Sequence, residues 1–300
     1  MRQTTSRIRP APYDSVFEGV VGIMVFIVIL VTLYPIIYIL ANSISSGDAV
    51  TRREVWLYPI GFNLTNYAKV FTHKYILLAY RNTLVYTILG VAWSMILTIL
   101  GAYPLSRKNL PGRDGIMLFI AFTMLFSAGL IPYYLVIKEM GMLNKIWAII
   151  IPAAISQYNL IILRTNFMSI PDSLEESAKI DGASDFKVMM SIILPMSVPG
   201  LCTIGLMYLI GRWNDFFTAM IFLNDKNLYP LQLILRDLLI TMSDTIVSDA
   251  MLSSSAAGRN LTPMGFKSAV IIISMLPLMI IYPFLQRYFV KGAMIGAIKG

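Results

Sequence analysis

The chain has 300 residues, a mean hydropathy of +0.71, 57% hydrophobic side chains and 13% charged ones. So little polar surface cannot cover so much apolar material, which excludes a water-soluble domain and defines an integral membrane protein. The net charge of +8 rests on basic residues at the ends of apolar stretches, where they reach headgroups or water, and implies no nucleic-acid partner.

A hydrocarbon core about 30 Å thick needs about 20 apolar residues per helix. Six stretches meet that length, at residues 16–41, 81–105, 115–137, 143–165, 197–223 and 265–289. The fold expected is therefore all-α: one polytopic transmembrane domain over residues 1–300, with six spans, both termini on one side, and membrane lipid around it. Arg2, Arg7 and Arg9 precede the first stretch as in a signal peptide, but its apolar run is too long for a cleaved one, so it reads as a retained helix. Those arginines, with Arg107, Lys108 and Arg113 between the second and third spans, place both termini in the cytoplasm. Pro35, Pro132, Pro152, Pro277 and Pro283 fall within the spans and predict kinks.

Three connections are long: 42–80, 166–196 and 224–264. By parity the first and third face outward and the second faces the cytoplasm. The lone histidine, His73, cannot form a metal cluster, and the lone cysteine, Cys202, cannot form an intrachain disulfide.

The inward connection reads NFMSIPDSLEESAKIDGASDFKVMMSIILP, Asn166 to Pro195. Pro171 suits a first helical turn, Asp172, Glu175 and Glu176 favour the positive end of the helix dipole, and Ser173 with Glu176 has capping-box spacing. Gly182 is a natural stop, because it adopts positive φ without penalty. A second helix then starts at Ala183 to Asp185 and runs through Ile192 to Pro195. Two readings stand for the first helix, a lipid-resting interfacial segment and a protein-docking one. Acidic residues outnumber basic ones between Asp172 and Lys187, which disfavours anionic lipid, and Ser177, Ala178, Gly182 and Ala183 are small enough to admit a partner's groove.

These residues also carry a resemblance. Glu176-Ser177-Ala178, Gly182, Ile192, Leu194 and Pro195 follow the pattern EAA, three residues, G, nine residues, I-x-L-P. That pattern resembles the loop of membrane subunits of binding-protein-dependent ATP-binding-cassette (ABC) importers. The one departure is Ser177 in place of the first alanine. The stretches GLIPYYLVIKEMGMLNKIWAIIIP, RWNDFFTAMIFL, DKNLYPLQLILRDLLI and VKGAMIGAIKG look like the maltose-type carbohydrate permeases. Within these they resemble the branch labelled LplC or YtcP, associated with oligosaccharides from complex polysaccharides.

The resemblance implies an importer permease of the bacterial cytoplasmic membrane. Glu175, Glu176, Ser177, Ala178, Asp181, Gly182 and Ala183 would form a coupling helix seated in a cytoplasmic ATPase subunit, and the tail at Gly296 to Gly300 would reach toward the same subunits. The implied partners are a second homologous permease, two ABC ATPases that hold ATP and magnesium, an extracytoplasmic solute-binding protein and an oligosaccharide.

The chemistry absent from the chain agrees with a transport subunit. No G-x-x-x-x-G-K-[ST] loop is present, so no cofactor is expected on this chain and ATP belongs to another polypeptide. The spans hold no histidine to activate a serine, and Asp215 is the only acidic residue deep in one. A secondary transporter is the alternative, but it would normally show repeat symmetry or intramembrane carboxylates.

Two polar clusters lie in spans, Arg212, Trp213, Asn214 and Asp215 in the fifth, and Gln157, Tyr158 and Asn159 in the fourth. They are candidates for a sugar path, since hydroxyl-rich ligands need amides and flat aromatic faces. Arg212 and Asp215, three apart, equally suit a structural pair. A path-facing Arg212 would favour an acidic cargo.

Overall fold

In the computed structural model the described residues are 12–126, 128–238, 240 and 261–297, with side chains over 17–73, 75–126, 128–238, 240 and 261–283. Arg2, Arg7 and Arg9, most of the third long connection and the tail end 298–300 lie outside the described residues. The elements in chain order are α1 (Pro12–Ser43), α2 (Gly47–Thr51), α3 (Thr65–Thr72), α4 (Lys74–Ser106), α5 (Arg113–Leu125), α6 (Leu130–Glu139) and α7 (Trp147–Ile150). They continue with α8 (Gln157–Met168), α9 (Asp172–Ile180), α10 (Asp185–Met196), α11 (Val198–Asn214), α12 (Phe217–Phe222), α13 (231–238) and α14 (Pro263–Ala297). No strand occurs among the described residues.

Among the described residues three helices are long and apolar enough to cross a membrane, within α1, α4 and α14, and two bent pairs, α5 with α6 and α10 with α11, bring the total to at most five. Three of the six apolar stretches are broken among the described residues. The stretch 115–137 breaks between Leu125 and Leu130, at a Gly129 with φ +80°. The stretch 143–165 is interrupted more deeply: α7 lasts four residues, and residues 151–156 are not helical. Pro152 lacks the N–H a continuing helix would use, and the Ser156 side chain accepts from the Asn159 N–H at 3.4 Å to start α8 afresh. The stretch 197–223 divides where the Asp215 carboxylate accepts from the Thr218 N–H at 3.0 Å and opens α12. Proline alone does not break a span, since Pro35, Pro277 and Pro283 lie inside continuous helices. Pro132 falls in the first turn of α6, where its missing N–H is no loss.

The chain forms two compact units, residues 1–72 with 241–272, and 73–240 with 273–300. In the first, α1 is apolar all round and its spanning window buries nothing, the profile of a helix meant for a non-aqueous surround. The connection after it is ordered by backbone bonds from Ser46 N to Ile60 O at 2.9 Å and from Asn63 N to Ile44 O at 2.8 Å. Ala41, Ala49, Val50 and Val55 close over them.

In the second unit α4 is the central rod, packed along α8 and α11. Its lower core joins Ala102, Tyr103, Leu160, Leu163, Phe167, Val188, Met189, Ile193 and Ile204. Lipid supplies no hydrophobic drive between spanning helices, so such packing relies on close contact and buried polar bonds. Gly90 shows one such close approach: a Cβ there would sit 3.2 Å from Arg212 Nε, so a larger residue would crowd the guanidinium between the helices.

Candidate functional site

Helix α9 starts directly after Pro171, which has extended geometry (φ −58°, ψ 130°). The Ser173–Glu176 capping box is not the starting device: Ser173 already lies inside the helix, and its carbonyl accepts from the Ser177 hydroxyl at 2.9 Å. The stop is Gly182 at φ +80°. Its N–H bonds the Lys179 carbonyl at 3.0 Å and that of Ala183 bonds the Ala178 carbonyl at 2.9 Å, the paired bonds that satisfy a helix C-terminus around a left-handed residue. Ser184 then caps α10, accepting from the Lys187 N–H at 3.4 Å. Met189–Ile193 form a wide π turn, a local adjustment that accommodates a proline such as Pro195. The chain bends by 83° between α10 and α11. The two ends of the I-x-L-P loop pattern are thus a left-handed turn and a bend.

Charge holds α9 against the end of α4. Arg107 donates to Glu175, with their side chains 16% and 11% exposed. Lys179 bonds Glu175 at 2.9 Å and Asp185 at 3.0 Å, and Lys108 bonds Asp172 at 2.7 Å. The hydrogen bonds from Lys179 first to Glu175 and then to Asp185 push its ammonium above the usual lysine range. The Lys108 hydrogen bond holds the exposed Asp172 carboxyl below its usual value. Between the two helices lies a cavity of about 610 Å³, lined by residues including Tyr103, Arg107, Glu175, Lys179, Asp185 and Phe186.

The residues singled out in this loop divide into two faces. Glu175 is buried and turned to the protein, and Ala178 and Ala183 pack against the lower core. Glu176, Ser177, Asp181 and Gly182 are exposed on the outer side, with the apolar Leu174, Ile180 and Phe186, of which Ile180 is 86% exposed. The outer side of this helix thus combines acidic and apolar side chains, both open to the surround. Sequence reasoning treated Arg107 and Lys108 only as orientation signals and missed them as the groups that hold α9. The basic pair directly ends a span, which is the signal that was available.

The two polar clusters meet around the break in 151–156. Arg212 donates to the carbonyls of Ile149 and Ile150, the latter at 3.4 Å, and reaches Ser94 Oγ at 3.5 Å. One turn earlier, the Tyr208 hydroxyl accepts from the Ser156 N–H at 3.0 Å and shares a 2.7 Å bond with Thr98. Arg212 and Asp215 thus do not form a hydrogen-bonded pair, because one serves the end of α7 and the other the start of α12. Trp213 is 2% exposed, donates to the Ser274 carbonyl at 3.2 Å and meets Tyr80 edge-on. It packs inside the unit instead of offering a face to a path. Asn159 is buried, whereas Tyr158 is 56% exposed, and Gln157 and Asn214 are at least partly open. Among the described residues no group of three or more His, Cys, Asp and Glu is placed to hold a metal.

Apolar helices, spans interrupted at polar residues and an ion-paired helix at the end of one span define a polytopic helical membrane protein of transporter type. Residues 11–294 match the family described as binding-protein-dependent transport system inner membrane component, and the chain belongs to that family. It is 40% identical over 271 residues to the polygalacturonan/rhamnogalacturonan transport system permease protein YtcP of Bacillus subtilis (strain 168), across 90% of this chain and 94% of that protein. Protein LplC of the same organism is also 40% identical, across 90% of each chain. Among solved structures it resembles a chain of a bacterial ABC transporter involved in import of the acidic polysaccharide alginate. The TM-score is 0.87 at 36% identity, covering 93% of this chain and 99% of that one.

Proposed function

We propose that this chain is the permease subunit of an ATP-driven importer that carries an oligosaccharide, derived from an acidic polysaccharide, across the bacterial cytoplasmic membrane. The observation that carries the reading is α9, held on ion pairs at its inner face and exposed at its outer one. Its acidic outer side disfavours an anionic lipid surface, which supports another protein as what seats on it. We read that protein as one of two ABC ATPases that hold ATP and magnesium, with this chain binding no cofactor itself. A second permease subunit and an extracytoplasmic binding protein complete the assembly, and both termini lie in the cytoplasm. Six crossings are counted by taking residues 143–168, break included, as one.

Irregular backbone at membrane depth is tolerated where it is buried in protein or lines a water-filled cavity. The break at 151–156, with Gln157, Tyr158 and Asn214 beside it, is therefore the part of this chain we assign to the sugar path. Arg212 and Asn159 support that wall from behind. ATP-driven closure of the ATPases moves α9, and packed helices pass the motion on as rigid bodies, the usual form of alternating access. Acidic cargo is supported by what the 36% identical alginate transporter and the polygalacturonan permease are described as carrying.

The test is uptake into proteoliposomes holding the complete complex, with labelled oligogalacturonide or a neutral maltooligosaccharide. ATP-dependent entry of the acidic sugar is expected. Entry driven by an imposed ion gradient without ATP would instead favour a secondary transporter, and ATP-dependent entry of the neutral sugar alone would remove the acidic assignment.

A further inference from the structure

Helix α9 buries no apolar side chain of its own; its one buried residue is Glu175. Ala178 packs partly against the lower core, and ion pairs beside the cavity carry the rest of the attachment to the span above. The span it attaches to is α4, 33 residues without interruption, about 50 Å long at about 1.5 Å per residue.

Both ends of α4 are fastened. Near its start, Asn82 donates to the carbonyls of Asn227 and Tyr229 at 2.7 and 3.2 Å, Tyr86 donates to that of Leu228 at 2.8 Å, and Thr83 accepts from the Leu231 N–H at 2.7 Å. These residues belong to the third long connection, outward by parity. At the other end Arg107 is the junction. Its guanidinium binds Glu175 of α9, reaches the Phe167 carbonyl at the end of α8 at 3.5 Å, and lies 5.0 Å from the Tyr103 ring centre. Arg164 adds a 2.8 Å bond to the Leu105 carbonyl, tying α8 to the same end.

Resting on the coupling role proposed for α9, we propose that Arg107 is a positioning residue for energy coupling: through Glu175 it joins the ATPase-facing helix to α4, and α4 carries the motion to the connection at 227–231. Planar, multidentate donation suits this post, because one side chain must hold a carboxylate and a carbonyl in fixed directions. A lysine ammonium is a compact charge whose donors rotate freely, so it would not fix the two directions as a planar guanidinium does.

The test uses the complete reconstituted complex with loaded binding protein. Arg107→Gln should lower the ratio of stimulated to basal ATPase at least fivefold and raise hydrogen exchange in residues 172–180. Arg107→Lys should restore it only in part. The charge swap Arg107→Glu with Glu175→Arg should recover stimulation lost in Arg107→Glu alone, including where the single variant assembles poorly. Full stimulation in Arg107→Gln, or a charge swap no better than Arg107→Glu, would overturn the proposal. The docking role of α9 is tested separately at Gly182: if variants there uncouple the complex and those at Arg107 do not, only the positioning role fails.

Discussion

The Tyr208 hydroxyl accepts the backbone N–H of Ser156 at 3.0 Å and shares a 2.7 Å hydrogen bond with Thr98. One side chain of α11 thereby satisfies the last residue of the non-helical segment 151–156 and links it to α4. Tyr208→Phe keeps the ring and removes both bonds. Unsatisfied buried donors cost about 1–3 kcal/mol, while polar contacts in membranes average about 0.6 kcal/mol, so a loss of about 1 kcal/mol is expected. Thermal unfolding of the purified complex in detergent would show a lowered Tm, and an unchanged Tm would mean that water serves Ser156 equally well.

Arg212 supports the other edge of the same break. Arg212→Gln should reduce assembly, because the carbonyls of Ile149 and Ile150 lose their donor. Asp215→Asn should not rescue it, since Asp215 is engaged with Thr218. Gly90→Leu should reproduce the defect by crowding the guanidinium. Yield of intact complex on size exclusion reads all three, and rescue by Asp215→Asn would restore the direct-pair explanation.

The pairs on α9 set a pH window. Asp172 has its carboxyl lowered from a usual value near 3.8, chiefly by the Lys108 hydrogen bond, so its contribution is present above that value and lost as pH falls through the lower folded one. Lys179 is raised from 10.5, first by its bond to Glu175, so its contribution is complete below 10.5 and lost as pH rises through the folded value. Protection of residues 172–180 against hydrogen exchange, corrected for intrinsic rate, should be flat between about pH 5 and 9 and fall in stronger acid. A midpoint near pH 7 would contradict this assignment of charges.

The absence of a phosphate loop predicts that the chain purified alone takes up no ATP in a calorimetric titration. Binding near one per chain would oppose a division of labour with separate ATPases.

Local chemistry explains what was legible in the sequence. Gly182 could be read as a helix stop because positive φ is a property of the residue itself, and Leu-rich runs reveal helices wherever lipid is the surround. The break at 151–156 was hidden, because 143–165 is apolar enough to span and Pro152 also suits a mere kink; what serves the opened backbone there is an acceptor from Tyr208 and donors from Arg212, more than fifty residues later. Trp213 was misjudged for a similar reason: an aromatic beside polar residues suits a sugar, but its indole N–H finds the Ser274 carbonyl within the unit. Arg107 and Glu175 are 68 residues apart, and neither residue alone announces the other.

The central claim is that α9, ended by Gly182, passes ATPase closure to the spans, and substitution at Gly182 tests it most directly. A side chain there meets nothing within 4 Å, and φ is +80°, so the cost of Gly182→Val is backbone strain of about 1–2 kcal/mol or more for a β-branched residue. Asparagine tolerates that conformation. With the reconstituted complex and loaded binding protein, Gly182→Asn should retain stimulated ATPase and uptake, and Gly182→Val should assemble yet fall to near the basal rate. Full stimulation and uptake in Gly182→Val would contradict the account.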